Sequence, residues 1–409
     1  MPHPDHPPLV ASAALIERAR KVDASFAGRN GVLGAGYGPA DRYPVFARRA
    51  VGAHVEDVDG NRLLDLVLGF GSVVLGHADP EVTAAVAGAS ANGVAPTLHL
   101  ESQVALAERL ARLVRGAEMS AFLRSGSDCT SLAVRLCRAV TGRPLVLHWG
   151  YHGWHDWCAP RADGVLEDVR RNTLAFPYNR ADVLLDRLAR HAGQVACVMM
   201  MPVEIEPPAE GFLEAVREAC DRHGVPLVLD EVRTGFRLAL GGAQEHFGVR
   251  ADLVCLSKAL ANGHPLSAVC GRADLMQAMA SVSASSVFFR AADGFAAAHA
   301  TLDKLERPGT HERLRRLGER LADGLGTAAR VAGIPARPLG LPAMPFLGFE
   351  TGDPAQDREA MRGFCQAMLA RGVLLHPGHH WFTCLAMSDT DIDQVVGAAA
   401  QAFAEMAGA

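Results

Sequence analysis

The sequence predicts an α/β fold with a mainly parallel sheet and a smaller α+β domain. Short apolar runs alternate with segments of helical periodicity, which is typical of parallel strands joined by helices. The runs are continuously apolar, which indicates strands buried on both faces. A length of 409 residues, of which 49% are hydrophobic, is enough for two domains.

The chain divides into three predicted segments. Residues 1–62 form an N-terminal arm and part of the small domain, with an amphipathic helix over 15–27, a glycine-rich connector over 28–38 that adds little to a core, and a hairpin at Asp59-Gly60. Residues 63–307 form the large domain, with helices at 80–91, 101–114, 130–141 and 213–223 and strands at 119–124, 144–148, 195–200, 226–229, 253–256 and 266–270. Residues 308–409 complete the small domain, with helices at 311–325, 358–370 and 391–406 and an apolar piece at 344–349.

Charge and cysteine content exclude several classes of protein. A net charge of -5, with 40 basic and 45 acidic residues, argues against nucleic-acid binding. The nine cysteines are odd in number and lack a C-x-x-C pair, so we expect reduced core thiols and a cytoplasmic protein. The sequence shows neither a membrane-spanning run of about 20 apolar residues nor a signal peptide, so we expect a protein that is soluble and not exported.

Lysine is rare in this chain, and one lysine is unusual. The 40 basic residues include only Lys21, Lys258 and Lys304. Lys258 directly follows an apolar strand, where desolvation lowers an amine pKa and favours nucleophilic attack on a carbonyl. Lys21 and Lys304 lie in polar parts of helices and fit an ordinary solvated charge.

Two further features lie at predicted strand ends, where parallel sheets bind ligands. Ser125, Gly126 and Ser127 separate a strand from a helix and form either an anion cradle or a simple helix cap. Asp230 ends another strand, and a buried carboxylate there needs a cation or strong donors. A phosphate cradle, a carboxylate and an amine nucleophile together are the set that pyridoxal 5'-phosphate (PLP) requires.

An ordered series of motifs resembles the class III, fold type I, PLP-dependent aminotransferases, in particular the branch that contains glutamate-1-semialdehyde aminomutase. The matching segments, in one-letter code, are DVDGN at 57–61, LGHADP at 75–80, SGS at 125–127, GYHG at 150–153, LDEVRTGFR at 229–237 and LSKALANG at 256–263. The resemblance implies a mainly parallel seven-stranded sheet with helices on both faces. It also implies a homodimer with active sites at the subunit boundary.

The resemblance implies a role for each matched residue. Lys258 binds the cofactor aldehyde covalently and acts as the catalytic base, while Asp230 pairs with the ring nitrogen. Gly126 and Ser127, together with Ser125, hold the phosphate. The ring lies between two further side chains, those of Tyr151 and Val232.

Departures from the family pattern bear on the substrate. Met201-Pro202-Val203 replaces the usual Glu-Pro-Val, no arginine follows Arg371 to clamp a carboxylate, and Ser286 is the candidate for the usual partner-subunit threonine on the phosphate. The loss of that glutamate and of the arginine points away from a standard α-amino-acid donor. If they face the pocket, Glu204 and Glu206 favour a cationic substrate such as an amino sugar or polyamine of antibiotic biosynthesis; otherwise they are solvated loop charges.

Aromatic and histidine clusters supply further candidates. Trp154 and His379 are predicted to shape an aromatic wall around the substrate. The chain also has histidines at spacings that a metal could use, but a metal site needs three or four converging ligands, and we predict none. These histidines are His148, His152, His155, His376, His379 and His380.

Three functions are compatible with these residues. The first is an aminotransferase, in which a glutamate-like molecule donates nitrogen to a carbonyl acceptor. The second uses the same cofactor for an isomerisation: an epimerase returns the proton to the opposite face of the substrate carbon, and an aminomutase retains a diamine intermediate. The third is a catalytically idle PLP-binding homologue, suggested by Met201 and Val287 and opposed by the intact Lys258 and Asp230.

Overall fold

The computed structural model describes residues 9–26, 33–37 and 43–408. The chain forms two compact units: a large unit, Pro80–His311, and a small unit made of Met1–Asp79 and Glu312–Ala409. The strands are β1 Ala47–Val51, β2 His54–Asp57, β3 Arg62–Asp65, β4 Met119–Leu123, β5 Leu145–Trp149, β6 Thr173–Ala175, β7 Val195–Met200, β8 Leu227–Asp230, β9 Leu253–Leu256, β10 Ser267–Gly271, β11 Ala336–Leu341, β12 Met344–Phe349 and β13 Val373–Leu374.

The helices account for most of the remaining ordered chain. They are α1 Val10–Val22, α2 Gly34–Tyr37, α3 Leu68–Gly71, α4 Pro80–Ala91, α5 Glu101–Leu113, α6 Gly126–Thr141, α7 Glu167–Arg170, α8 Ala181–Arg190, α9 Phe212–His223, α10 Gly242–Phe247, α11 Ala273–Met276, α12 Ala292–Leu305, α13 Thr310–Val331, α14 Pro354–Ala370 and α15 Asp389–Gly408. Within the described residues, no helix is long and apolar enough to cross a membrane.

The large unit contains a seven-stranded sheet in the order β4-β10-β9-β8-β7-β5-β6. The pairs from β9 to β6 are parallel, whereas β10 is antiparallel to both β4 and β9. This confirms the predicted mainly parallel α/β sheet. The carboxyl ends of β7, β8 and β9 therefore meet at one edge, which is where ligands bind in such sheets.

The core of the large unit explains the unbroken apolar runs. Strands β7 to β10 are buried along their full length, and helix α6 packs on them with the apolar face that includes Cys129 and Cys137. All nine cysteines are free and eight are buried. This matches the prediction of unpaired thiols that serve as core packing groups.

An ion cluster closes the amino ends of the same strands. Asp252, just before β9, accepts hydrogen bonds from the backbone N–H of Leu227 and from Arg217 and Arg272, each at 2.8 Å. The side chain of Asp252 is only 11% exposed. Because a carboxylate at this depth is stable only when paired, this cluster, which we call the Asp252 clasp, fixes the starts of β8 and β9 and the end of β10.

The small unit contains two sheets. One has the order β1-β2-β3-β13, and the other is the hairpin β11-β12. The predicted hairpin at Asp59-Gly60 is confirmed, because β2 and β3 pair antiparallel around it. The Asp57 carboxylate accepts hydrogen bonds from the backbone N–H groups of Asp59 and Asn61 and so holds the turn.

The N-terminal segment differs from its prediction in two ways. The helix predicted over 15–27 is present, but its bounds are wrong: α1 begins at Val10 and ends at Val22, and residue 27 lies outside the described residues. Its first turn is held by Asp59, which accepts from Ala11 N at 2.6 Å and Ser12 N at 3.0 Å. The connector 28–38 contributes to the core, because its described residues include the buried Leu33 and Tyr37.

Candidate active site

The large unit places Lys258 where a buried strand ends. Lys258 follows β9 and opens the short 3-10 helix Lys258–Ala261 with a positive φ of 49°, a strained conformation typical of functional sites. Burial, with a smaller effect from the nearby positive charge of Arg233, lowers the pKa of its amine to about 8. A substantial fraction of this amine is therefore neutral and nucleophilic in weakly alkaline solution.

Asp230 and His152 form a buried pair beside this lysine. Asp230 is the last residue of β8, and its Oδ2 lies 2.7 Å from His152 Nδ1. Its Oδ1 accepts a hydrogen bond from the Val232 N–H at 3.1 Å. Both side chains are almost fully buried, at 5% exposure for Asp230 and 0% for His152. Within the described residues, His152 Nε2 has no partner.

The N-terminus of α6 lies at the position predicted for either an anion cradle or a simple helix cap. Ser125 is the N-cap: its hydroxyl accepts from Asp128 N at 3.2 Å, and Asp128 accepts from Ser125 N at 2.9 Å. The capping box leaves the N–H groups of Gly126 and Ser127 without an intrahelical acceptor. These two N–H groups and the positive end of the helix dipole suit a phosphate.

Close packing joins the cradle to the buried pair. A Cβ on Gly126 would lie 2.9 Å from Val232 Cγ1, and a Cβ on Gly153 would lie 2.2 Å from Ser127 Oγ. On the other side of the cradle, Thr130 Oγ1 donates to the His152 carbonyl at 2.6 Å. The large unit thus brings together an amine, a buried acid and a helix N-terminus that suits an anion, and this set fits PLP.

The other predicted site residues have different surroundings. Tyr151 and Trp154 are 62% and 70% exposed. Ser286 accepts from Phe288 N at 3.3 Å and caps the 3-10 helix Val287–Arg290. Glu204 lies beside Arg233, with Oε2 3.4 Å from Nη2, so it is not an isolated negative charge.

His379 belongs to the small unit, within an aromatic cluster. Its ring lies 5.1 Å from that of Phe70, edge to face, and Phe70 also contacts His376 at 5.7 Å. Phe70 lies in α3, which is a left-handed turn, since Leu68, Gly69, Phe70 and Gly71 all have φ between 48° and 84°. The backbone strain at Phe70 is about 1–3 kcal/mol, which marks this cluster as a second candidate region.

Three residues of the large unit were missing from the predicted site. His152 lies inside the motif at 150–153, but nothing local indicates that it faces an aspartate 78 positions away. Glu231 is fully buried, which raises its pKa to about 7, and it accepts from Ala243 N, Gln244 N and Thr234 Oγ1. Arg233 is the third missed residue. The only sequence signal for it was its position within the motif at 229–237.

The histidines considered as metal ligands do not converge. His148 and His152 meet edge to face with ring centroids 5.6 Å apart, and burial lowers the pKa of His148 to about 4. Over the described parts of the chain, no group of three or more His, Cys, Asp or Glu side chains has an arrangement that could hold a metal ion.

The sequence profile of the family described as aminotransferase class-III matches residues 37–403. The chain belongs to this family. The resemblance is therefore confirmed, and with it the assignment to an enzyme family. As a class III aminotransferase, the chain has PLP as its cofactor, which is also present in a solved relative of the same fold.

Three relatives show how far the likeness extends. The class III chain is 33% identical to the 3-aminobutyryl-CoA aminotransferase of Cloacimonas acidaminovorans (strain Evry), over 89% of this chain and 90% of the relative. It is 36% identical to the glutamate-1-semialdehyde 2,1-aminomutase of Syntrophobacter fumaroxidans (strain DSM 10017 / MPOB), over 88% and 90%. The FumI protein of Sphingopyxis sp. MTA144, solved in its PLP internal aldimine form, has a TM-score of 0.91 and 31% identity, covering 97% of this chain and 96% of FumI.

Proposed function

We propose that this class III enzyme is an aminotransferase that moves an amino group between a small amine and a carbonyl acceptor, with Lys258 as its catalytic base. The observation that carries the proposal is the buried Lys258 amine, whose pKa burial lowers to about 8, in the same unit as the Asp230–His152 pair. When bound, PLP supplies an electron sink that acidifies the hydrogen beside the amino group. The chain must therefore supply binding and proton transfer.

Each residue would then have a defined role. Lys258 would hold the cofactor, take the proton from the substrate carbon that bears the amino group and deliver it to the cofactor carbon on the other side of that nitrogen. Asp230 keeps the proton on the ring nitrogen, and the His152 contact at 2.7 Å orients its carboxylate. Gly126 and Ser127, behind the Ser125 cap, bind the phosphate through backbone N–H groups.

The remaining site residues are proposals of the same kind. Tyr151 and Val232 would enclose the cofactor ring, and the packing of Val232 against Gly126 supports its part in this. Ser286 would bind the phosphate of the partner subunit. Trp154 and His379 would form part of the substrate wall.

The direct test follows the donor nitrogen and the cofactor together. Incubation of the purified holoenzyme with an amine donor and a keto acid should yield a keto product and a new amine, and Lys258→Ala should abolish it. Borohydride treatment should add the cofactor mass to the peptide that contains Lys258. A colourless protein with no such adduct would refute the assignment of Lys258.

An aminomutase is the second candidate, because one relative bears that activity in its name. Such an enzyme would move the amino group within one molecule and release no keto product. Analysis of a single substrate by mass spectrometry and chiral chromatography separates the two, since isomerisation keeps the substrate mass and transamination changes it. An epimerase would likewise keep the mass but invert one centre.

We also propose that the enzyme is a homodimer. Leu98, Val104, Val287 and Phe288 are apolar side chains that expose 54–78% of their surface, and exposed apolar surface is typical of protein interfaces where it is contiguous. Residues adjacent to them line a pocket of about 520 Å³ that includes Ser286. Light scattering should give the mass of two chains, and Phe288→Asp should give one, whereas Val331→Asp, at an exposed site in the small unit, should not.

The finer aspects of substrate and location remain predictions. An amino sugar or polyamine in antibiotic biosynthesis rests on the negative charges of Glu204 and Glu206. The ion pair of Glu204 with Arg233 weakens that argument, because it compensates one of the two charges. Residence in the cytoplasm rests on the free cysteines.

A further inference from the structure

We propose that Arg233 binds a carboxylate on the amine substrate, which displaces Glu204 from the guanidinium. This inference rests on the proposed aminotransferase function and narrows its substrate class. It assigns a specificity-determining role to a residue that follows β8 by three positions. Its support comes from the contacts, exposure and charge environment of Arg233.

The guanidinium of Arg233 has donors to spare. Its Nη2 donates to the Val203 carbonyl at 2.7 Å, lies 3.4 Å from Glu204 Oε2 and lies 4.0 Å from Met201 Sδ. All three contacts fall on that one nitrogen. Nε is buried and has no hydrogen-bond partner within the described residues. Nη2 and Nε share one edge of the planar guanidinium, so a carboxylate that displaced Glu204 from Nη2 would also find the unpartnered Nε and could make a two-point contact.

The ion pair between Arg233 and Glu204 is weak enough for a substrate carboxylate to replace Glu204. Arg233 is 12% exposed and Glu204 is 38% exposed, so a buried cation faces a half-solvated anion. Their separation of 3.4 Å is longer than the usual charge-assisted bond of about 2.7–2.9 Å. A guanidinium cannot lose its proton to escape this position. A better-placed carboxylate would therefore replace Glu204 at little cost.

The surrounding charges also favour an anion. Arg233 and Arg237 both lower the pKa of the Lys258 amine by their positive charge, with burial as the larger cause. The negative charge on this side comes from Asp230, which is already held by His152. A carboxylate that binds Arg233 would also feel the positive charge of the buried Arg237. It would lie close to the amine that performs the chemistry, which orients the substrate amino group toward Lys258.

The substrate class follows from this arrangement. The donor would carry a carboxylate and a primary amine in one small molecule, with the carboxylate on Arg233 and the amine toward Lys258. An amine without a carboxylate would leave Glu204 paired with Arg233. Arg233 would then raise efficiency for amino acids and do little for simple amines.

The test compares two donors of the same shape, 3-aminobutyrate and 2-aminobutane, which differ by a carboxylate in place of a methyl group. In Arg233→Met, the efficiency kcat/KM with the carboxylate donor should fall by about 10- to 100-fold, the effect of losing a charged hydrogen bond, while the efficiency with 2-aminobutane should stay nearly the same. Arg233→Lys keeps the charge without the fork and should lose about tenfold. Glu204→Gln should lower KM for the carboxylate donor, and the exposed Glu210→Gln should change the kinetics of neither donor.

Binding provides a readout that does not depend on turnover. Butyrate, which has no amino group, should bind the wild-type holoenzyme in calorimetry and bind Arg233→Met at least tenfold more weakly. Equal loss on both donors, with a shifted visible band, would mean that the guanidinium acts on the cofactor and would overturn the proposal. Arg233-dependent butyrate binding in an enzyme inactive on both donors would support the carboxylate site and refute the proposed aminotransferase activity instead.

Discussion

His152 Nδ1 lies 2.7 Å from Asp230 Oδ2, and both side chains are buried. In His152→Phe, Asp230 would keep only the Val232 N–H among its protein partners, and a buried carboxylate that loses a partner costs roughly 1–3 kcal/mol. We expect kcat of the aminotransferase reaction to fall about 10- to 100-fold, with KM little changed. Steady-state kinetics on the holoenzyme tests this.

The matched control for that variant is His223→Asn, which removes an imidazole from the last turn of α9. It should keep wild-type kinetics. An unchanged kcat in His152→Phe, or the same loss in both variants, would contradict a role for His152 in orienting Asp230.

Lys258 should make the stability of the cofactor-free protein depend on pH. Its pKa is lowered from 10.5 to about 8 by burial, so between pH 8 and 10.5 the unfolded chain binds the proton and the folded chain releases it. The free energy of unfolding should therefore rise with pH across this window and carry a constant penalty below it. At pH 7, Lys258→Met should be more stable by on the order of 3 kcal/mol.

Urea unfolding from pH 7 to 10 measures this difference. Lys21→Met, at an exposed position, serves as the control and should run parallel to the wild type. A difference between wild type and Lys258→Met that stays constant from pH 7 to 10 would show that the amine titrates normally.

Gly153 should be essential for the phosphate cradle. It has a φ of 112°, and a Cβ there would lie 2.2 Å from Ser127 Oγ. Gly153→Ala should push Ser127 aside and weaken cofactor binding at least tenfold, which is about 1.4 kcal/mol. Dialysis against increasing PLP, followed by visible absorbance, measures the affinity.

Gly164→Ala is the control that separates the steric clash with Ser127 from the cost of placing alanine at a positive φ. Gly164 also has a positive φ, of 78°, but nothing lies within 4 Å of a Cβ there. This variant should lose some stability and keep its cofactor. Equal cofactor affinity in the two variants would exclude the clash with Ser127 as the cause.

Glu231 should stabilise the loop that follows β8. Its carboxylate accepts from two backbone N–H groups and the Thr234 hydroxyl, so Glu231→Ala should leave buried donors unpaired at a cost of about 3 kcal/mol. Urea unfolding at pH 8, above its raised pKa of about 7, tests this. Glu214→Ala on the exposed face of α9 should be nearly neutral, and a similar stability for both variants would count against this role.

The sequence reveals elements whose signal is local. Strands β7 and β9 begin and end where predicted, because a continuously apolar run defines a strand buried on both faces. Helix α6 begins four residues earlier than predicted, at Gly126, because the capping box of Ser125 and Asp128 sets its start. The sequence did not predict that β10 runs antiparallel to β4 and β9, because the hydrophobicity of a strand does not encode its direction.

The site divides in the same way. Lys258, Asp230 and Gly126 stand out locally, because each lies at or just after the carboxyl end of a strand. The contacts that define their chemistry span larger distances: Asp230 meets His152 across 78 positions, and Arg233 meets Glu204 across 29. Such pairings arise only when the chain folds, so composition and periodicity do not show them.

The Asp252 clasp holds the opposite edge of the sheet from the one that carries Asp230 and Lys258. Rigidity and reactivity are thus assigned to separate ends of the same strands. An engineer could retune donor preference around Arg233 while leaving this ionic anchor intact, or harden the anchor against heat without disturbing the reactive end.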